Sequence, residues 1–286
     1  MSAVSLTGGW RSRKWLVASA LYALTMALAA LVLFPIFWMA SSSFKPQPEL
    51  FARDLTMLPV NWTLENYINV WSNTEFPAYF WNSFKLAALA TGLSVVVSMY
   101  CAYAVARIRF RGRYALGLFL LVAQMFPQIL LVIPLFLTFQ KMRLLDSHIG
   151  LVIVYAAFAM PFTIWVLRGF FESIPVELED AAAIDGARPL QAFHRVILPL
   201  AGPGLAAVVM FNFIRGWNEF LFALIFLRSR ALYSLPIGLA SFQEEYTFRW
   251  DLIMAGASII TLPVLFFFLL MQRFIVQGLL GGAVKG

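Results

Sequence analysis

The chain has 286 residues, 62% of them hydrophobic and only 12% charged, with a formal net charge of +7. A soluble domain of this length is nearer half apolar and a quarter charged, so one water-bathed core cannot bury the apolar surplus and lipid has to take it. The basic balance does not point to nucleic acid, because positive residues routinely fix membrane topology and no basic, aromatic-interleaved soluble segment is present.

Long uncharged intervals mark the spans. Thirty residues separate Lys14 from Lys45, 21 separate Lys85 from Arg107, and 27 separate Arg113 from Lys141. Asp146 and Arg168 enclose another 21, as do Asp251 and Arg273. A helix needs about 20 apolar residues to cross a bilayer, so five spans follow directly. A sixth candidate, 196–227, is interrupted by Arg215 and Glu219. The expectation is an all-α polytopic membrane protein with six transmembrane helices at about 15–40, 83–106, 114–139, 148–171, 199–227 and 252–272. Residues 1–14 would be a cytoplasmic N-terminal segment and 15–286 the six-span domain. Arg11, Arg13 and Lys14 precede the first run as in a signal peptide. That run is too long for a cleavable segment and lacks a small-residue cleavage site, so it reads as an uncleaved span.

Lys/Arg bookkeeping orients the chain. With the N-terminus in the cytoplasm, twelve Lys/Arg fall on the inner side and eight on the outer. The cluster Arg107-Ile-Arg-Phe-Arg-Gly-Arg113, packed into a very short loop, is the strongest single signal. Both termini are therefore expected in the cytoplasm. Outer residues 41–82 hold turn signals at Lys45-Pro-Gln-Pro48 and Leu58-Pro59, then the rings of Trp62, Tyr67, Trp71, Phe76, Tyr79, Phe80 and Trp81. Many of those rings are expected at headgroup level. The second outer segment, 228–251, is amphipathic and mixed in charge. Cys101 stands alone inside an apolar span, and His148 and His194 are far apart, so neither a disulfide framework nor a metal set is expected.

Prolines at mid-span positions, Pro127, Pro134, Pro161, Pro203 and Pro263, each free a backbone carbonyl and bend a helix. Lipid tolerates such breaks only where protein or a watery cavity covers them. They fit irregular helices around a pathway, or ordinary kinks in a static bundle.

The inner loop 172–198 is the oddest stretch, carrying five acids where positive charge is normal. Pro175 suits a first helical turn, with Glu177, Glu179 and Asp180 favouring the positive end of the helix dipole. Ala181, Ala182, Ala183 and Ile184 continue as good helix formers, and Gly186 can take the left-handed conformation that ends a helix. Pro189 then starts a second short helix ending near Leu198-Pro199. A helix–Gly–helix elbow of this kind is either a solvated connector or a docking element for a soluble cytoplasmic partner.

Asp180-Ala181-Ala182, followed by Gly186 and Ile197-Leu198-Pro199, resembles the EAA loop of binding-protein-dependent ABC transporter permeases, with Asp180 in the usual Glu place. Asn82-Ser83, Ala102-Tyr-Ala-Val-Ala-Arg107 with Phe110-Arg-Gly112, and Met125-Phe-Pro127 through Pro134-Leu-Phe136 resemble its carbohydrate-uptake, MalG-like branch. Trp217-Asn-Glu-Phe220 and the tail from Gln272-Arg273 to Gly286 extend the resemblance over nearly the whole chain from about residue 25.

The resemblance implies a type I importer permease fold in a bacterial cytoplasmic membrane. It also implies that this chain forms half of a pathway for a sugar or related polyol, a second permease forming the other half. Two cytoplasmic ATPases would bind the loops, and an extracytoplasmic binding protein would deliver the solute. The coupling positions carried over are Glu179, Asp180, Ala181, Ala182, Ile184, Asp185, Gly186, Leu198 and Pro199, and the tail residues Lys285 and Gly286 would reach toward the ATPase interface. The chain has no Gly-x-x-x-x-Gly-Lys-Ser/Thr phosphate loop. It is therefore expected to be no enzyme and to hold no cofactor, ATP and magnesium belonging to the partner.

Arg215 and Glu219, four apart on one helix face in the fifth span, can neutralise each other and sit where charge is costly and usually faces a cavity. With Asn212 and Asn218 they line a pathway or tie spans together, and Gln124 and Gln128, flanking Pro127, are further pathway candidates. A rival reading, a secondary transporter driven by an ion gradient, would need ionisable groups in several spans and repeat symmetry. Only the fifth span carries charge away from its ends, and no repeat is visible. An intramembrane enzyme would need a catalytic set, and a static scaffold would leave the acidic elbow unexplained.

Overall fold

The computed structural model describes residues 8–243 and 248–283. In chain order the α-helices are α1 (Gly8–Ser43), α2 (Gln47–Leu50), α3 (Glu65–Ser72), α4 (Phe76–Arg107), α5 (Arg113–Met125), α6 (Val132–Lys141) and α7 (His148–Ser173). They continue with α8 (Glu177–Ile184), α9 (Pro189–Ala192), α10 (Leu198–Leu200), α11 (Gly202–Trp217), α12 (Leu221–Phe226), α13 (Leu235–Ser241) and α14 (Trp250–Ala283). Among the described residues there is no β-strand. Four helices are long and apolar enough to span a bilayer unbroken, over Val17–Ser43, Phe76–Arg107, His148–Ser173 and Trp250–Leu270. Two bent pairs bring the number to as many as six if each is one span: Arg113–Met125 with Gln128–Lys141, bent by 94°, and Pro189–Leu200 with Gly202–Trp217, bent by 76°.

The bends differ from the continuous spans expected at 114–139 and 199–227, and the first has a local cause. At the first, Phe126 is driven out of the helical region by the proline that follows it (ψ 125°), and Pro127 is itself extended (ψ 119°). The chain then re-enters through a 3₁₀ turn at Gln128–Leu131. The fifth span is broken again after Trp217, and α12 resumes only at Leu221. Glu219 lies in that gap and accepts from the backbone N–H groups of Phe222 (2.8 Å) and Ala223 (3.1 Å), capping the new helix with a carboxylate.

By contact density the chain divides into two units, residues 1–70 with 249–258, and residues 71–248 with 259–286. In the first, the segment after α1 is knotted by polar contacts. Asn66 Nδ2 donates to the carbonyls of Ser43 (2.9 Å) and Lys45 (2.8 Å), and Glu49 accepts from Val60 N–H (2.8 Å) and Asn61 N–H (3.1 Å). Lys45, 2% exposed, donates Nζ to the Thr56 carbonyl and lies 4.8 Å over the Trp38 ring.

The second unit is built on α4 packed against α7, with α11 laid on both. Small residues on α4, Ala87, Ala90, Ser94, Ser98, Ala102 and Ala106, are buried along one stripe and let the backbones approach. Asn212 on α11 pins the three together, donating to Thr163 Oγ1 on α7 (2.9 Å) and reaching Ser94 Oγ on α4 (3.5 Å). One apolar cluster gathers Leu86, Val154, Phe222, Phe226 and Ile237; the other gathers Tyr103, Leu167, Phe171, Phe193 and Ile197 at the Arg107 end. The aromatic stretch expected at headgroup level divides. Phe76 and Tyr79 are buried, Phe80 packs edge-on to Trp217 at 5.3 Å, and Trp62, Trp71 and Trp81 are exposed. α4 starts at Phe76, seven residues before the expected edge, because Pro77 opens its first turn and its aromatics have protein to pack against.

At the end of α4 opposite Arg107, Asn82 Nδ2 donates to the carbonyls of Ala231 (2.8 Å) and Tyr233 (3.1 Å), while Ser83 Oγ accepts from Leu235 N–H (2.7 Å). Asp146, with φ of +50°, accepts from the Ser229 hydroxyl and from the N–H groups of Ser229 (2.9 Å) and Arg228 (2.9 Å). The Ser229 hydroxyl, and then the two backbone donors, hold its carboxyl below the ordinary aspartate range. A depressed folded pKa gives stability that is fully present above the unfolded value of about 3.9 and lost as pH falls through the folded one.

Asp146→Asn, which keeps the left-handed backbone accessible, is expected to lower the thermal midpoint of the detergent-solubilised chain at pH 7, with the deficit closing on acidification below about pH 4. Gly150→Val is expected to cost about 1–3 kcal/mol by overpacking. A Cβ there runs into the backbone carbonyl of Leu144, which cannot swing away as a side chain would. Thermal unfolding reads out both.

Candidate functional site

The elbow over 172–198 is two-faced. α8 carries Glu177, Glu179 and Asp180 in its first turn and begins after Val176, two residues later than a Pro175 start would put it. Its end is closed by Gly186 at φ +83°, with Gly186 N–H donating to Ala183 O (3.0 Å) and Ala187 N–H to Ala182 O (2.9 Å). That left-handed geometry is the one glycine adopts without penalty. Arg188 starts the return, its N–H donating to Gln191 Oε1 (2.8 Å), and Pro189 takes the first turn of α9. A π-turn at Phe193–Ile197 leads into α10 and Leu198-Pro199.

One face is fixed to the membrane helices. Phe193 and Ile197 are fully buried, the Phe193 ring lying 4.5 Å from Tyr103 and 5.8 Å from Phe171. Glu179 pairs with Arg107 Nε at 2.5 Å and accepts from Tyr103 Oη at 2.8 Å, while Arg107 Nη2 donates to the Ile174 carbonyl at 2.7 Å. His194 Nε2 lies 3.0 Å from Tyr100 Oη, and its Nδ1 lies 2.7 Å from Leu190 O. Of the coupling candidates, Glu179 is thus committed inward as an anchor.

The other face is open. Ile184 is 87% exposed and Leu190 59%, and Asp180, Ala181, Asp185 and Gly186 are exposed around them. Ala182 and Leu198 are half-buried, and Pro199 is exposed. A bare isoleucine ringed by acids and small residues is a surface suited to another protein, not to lipid.

All the pathway candidates except Asn218 line two adjoining cavities. A cavity of about 600 Å³ between α5, α6 and α7 is lined by Gln124, Gln128 and Arg215 among Phe119, Phe126, Phe139 and Phe158. A smaller one brings Gln128, Arg215, Asn212 and Glu219 together with Thr91 and Tyr155. There the Thr91 hydroxyl and the Asn212 carbonyl oxygen are buried with no hydrogen-bond partner among the described residues. Arg215 and Glu219 do not share a helix face as a neutralising pair, because α11 ends between them. Arg215 reaches the Phe158 carbonyl at 3.5 Å, and Glu219 is spent on the α12 N-terminus. Asn218 is exposed and turns back onto the Ile214 carbonyl (3.0 Å), outside both cavities. Lys285 and Gly286 lie outside the described residues.

Tyr103, Arg107 and Phe193 are the residues that the sequence reading did not place in the site. Arg107 enters the sequence only as a topology charge and as the end of the Ala102–Arg107 stretch, with nothing to mark it as an anchor. The lone Phe193, four residues before Ile197 in a polar loop, was the available signal for a buried face.

Residues 94–281 match the family described as binding-protein-dependent transport system inner membrane component. The chain is 38% identical over 262 residues to the trehalose/maltose transport system permease protein MalG of Thermococcus litoralis, covering 91% of this chain and 94% of that one. It is 39% identical over 282 residues to the trehalose transport system permease protein SugB of Mycobacterium tuberculosis, covering 98% and 100%. The diacetylchitobiose uptake system permease protein DasC of Streptomyces coelicolor is 36% identical, covering 89% and 92%. The fold matches a solved bacterial ABC transporter that imports the acidic polysaccharide alginate, with a TM-score of 0.78 at 24% identity over 96% of this chain and 99% of that one. Taken with four unbroken spans, two bent helix pairs and an exposed acidic elbow, these matches establish that the chain belongs to the family of binding-protein-dependent transport system inner membrane components.

Proposed function

We propose that this chain forms half of the membrane pathway of an ATP-driven importer for a sugar or a related polyol. A second permease, a different chain, supplies the other half, and an extracytoplasmic binding protein delivers the solute. Two cytoplasmic ATPases, carrying the ATP and magnesium, seat on elbows of this kind. Relatives named for trehalose, maltose and diacetylchitobiose support the sugar class. The Lys/Arg asymmetry supports a bacterial inner-membrane protein with both termini and the elbow in the cytoplasm.

The observation that carries the coupling is the two-faced elbow, fixed inward by Glu179, Phe193 and Ile197 and open outward at Ile184. In this reading Ile184 fills an apolar pocket on the ATPase, Ala181 and Ala182 allow close approach, and Asp180 and Asp185 meet a basic rim. Gly186 sets the angle between α8 and α9. Leu198 and Pro199 pass the motion to α11, which carries Asn212 and Arg215. Because the elbow is tied to α4 through Arg107, ATP-driven closure of the partner moves elbow and spans as one body and switches access. Lys285 and Gly286 extend the same interface.

Gln124, Gln128, Asn212, Arg215 and Glu219 line the solute's way, with Asn218 at its edge. Amides donate and accept hydrogen bonds without demanding charge, which suits a hydroxyl-rich solute, and the unpartnered Thr91 hydroxyl and Asn212 oxygen supply further partners. The aromatic rings around the larger cavity offer apolar faces to sugar C–H groups.

Gly186→Val is expected to abolish uptake of radiolabelled sugar while leaving membrane insertion intact. A left-handed conformation costs an L-residue about 1–2 kcal/mol, and a β-branched one bears it least well. Normal transport by that variant would remove the lever. The tagged chain, purified from its native membrane in mild detergent, is expected to bring an ATPase and a second permease. Ile184→Asp should lose about ten-fold or more of the ATPase and keep the permease, one buried apolar anchor being worth a few kcal/mol at such a contact. Recovery of the chain alone, under conditions that preserve a known importer, would overturn the proposal.

A further inference from the structure

A third cleft lies at the Arg107 end, between the start of α5 and the end of α7. It has a volume of about 530 Å³ and shares no lining residue with the two pathway cavities. Its mouth carries two guanidinium groups on a single carboxylate oxygen: Arg113 Nη2 and Arg168 Nε lie 3.0 Å and 2.8 Å from Glu172 Oε1. Two cations share one anion, and Arg109 and Arg111 stand exposed in the adjoining loop, so the mouth is net positive. Gly117 makes this possible, because Arg168 Nη1 would sit 3.3 Å from a Cβ at that position and so lies close across α5.

Going deeper, the walls become apolar. Trp165 is 54% exposed one turn before Arg168, and Leu118 and Leu121 line the α5 side, with Tyr114 standing exposed at the rim. From Arg113 to Leu121 the helix rises about 12 Å, the distance from a headgroup phosphate into the first several methylenes of an acyl chain. A protein partner would have to match both a cationic rim and a lipid-depth greasy wall. An amphiphile with an anionic head matches both at once, and basic pockets between spans on the cytoplasmic side are where such headgroups bind.

We propose that this cleft holds one anionic phospholipid of the inner leaflet, its phosphate on Arg113 and Arg168 and an acyl chain along Leu118, Leu121 and Trp165. The leaflet rests on the orientation given above; the site itself does not. Glu172 competes with the phosphate for both guanidiniums, so it tunes the affinity.

The test is native mass spectrometry of the full-length chain, alone and in its purified complex, titrated with phosphatidylglycerol or with phosphatidylcholine of the same chains. The wild type is expected to hold a phosphatidylglycerol adduct several-fold in excess of the phosphatidylcholine one. Arg113→Gln with Arg168→Gln should bring the two level, roughly five-fold being lost per guanidinium. Glu172→Gln should raise the phosphatidylglycerol adduct, a change of opposite sign that misfolding cannot mimic. Equal binding of the two lipids by the wild type, or variants without effect, would overturn the proposal. So would competition by glycerol 3-phosphate at the lipid's own concentration, which would mean a bare phosphate site, or an adduct absent from the complex, which would mean that another subunit covers the cleft. The titration involves no transport, so it can fail while the importer reading stands, and the co-purification can fail while the adduct persists.

Discussion

A helix broken at membrane depth must hand its freed backbone groups to protein, because lipid offers no hydrogen bonds. That constraint organises this molecule. Where α11 stops at Trp217, the carboxylate of Glu219 takes the first donors of α12, so the charge and the break each compensate the other. At the Phe126-Pro127 break, the chain lines a cavity with Gln124 and Gln128 and resumes through a 3₁₀ turn. Irregular backbone at both breaks therefore borders the cavities. The breaks are what make room for a pathway in an otherwise close-packed bundle.

The unbroken α4–α7 pair performs the complementary task. Small residues along α4 bring the two helices together, and Asn212 joins α11 to both through neutral hydrogen bonds. An amide–hydroxyl junction is directional without carrying charge into lipid. It fixes register where apolar side chains alone would slide, because hydrocarbon side chains and lipid tails are equally apolar and exert no hydrophobic force between helices.

Much of this was legible in the sequence because lipid is an unforgiving solvent. Runs of 21 to 30 uncharged residues announce spans, and Gly186 announces the elbow's turn through a backbone conformation that other residues resist. The two bent spans were less legible. Pro127 predicts a break, but a right-angled turn needs two extended residues, and nothing local distinguishes that from a kink. Arg215 and Glu219 invite pairing by their spacing, yet pairing at four residues presupposes the very helix that ends between them. The elbow's inward face escaped for a different reason. Its anchors, Tyr103 and Arg107, are more than 70 residues away from Glu179 in the chain, and one sequence carries no record of who meets whom across that distance.

The span from Phe76 to Arg107 is one unbroken helix, about 48 Å long at 1.5 Å per residue. It is held at both ends by polar contacts to segments far away in sequence: Arg107 to the elbow, and Asn82 and Ser83 to residues 231–235. A rod fastened at both ends cannot tilt at one without doing work at the other. Work done on the elbow is therefore felt at the opposite surface, and linkage makes the relation symmetrical. Anything that binds the 231–235 segment in only one tilt of α4 therefore biases the elbow's position, and anything that binds the elbow biases that segment by the same factor. Signalling across the membrane then requires no relay of small rearrangements through the bundle, only a stiff helix and two contacts that cannot both be satisfied in the wrong tilt.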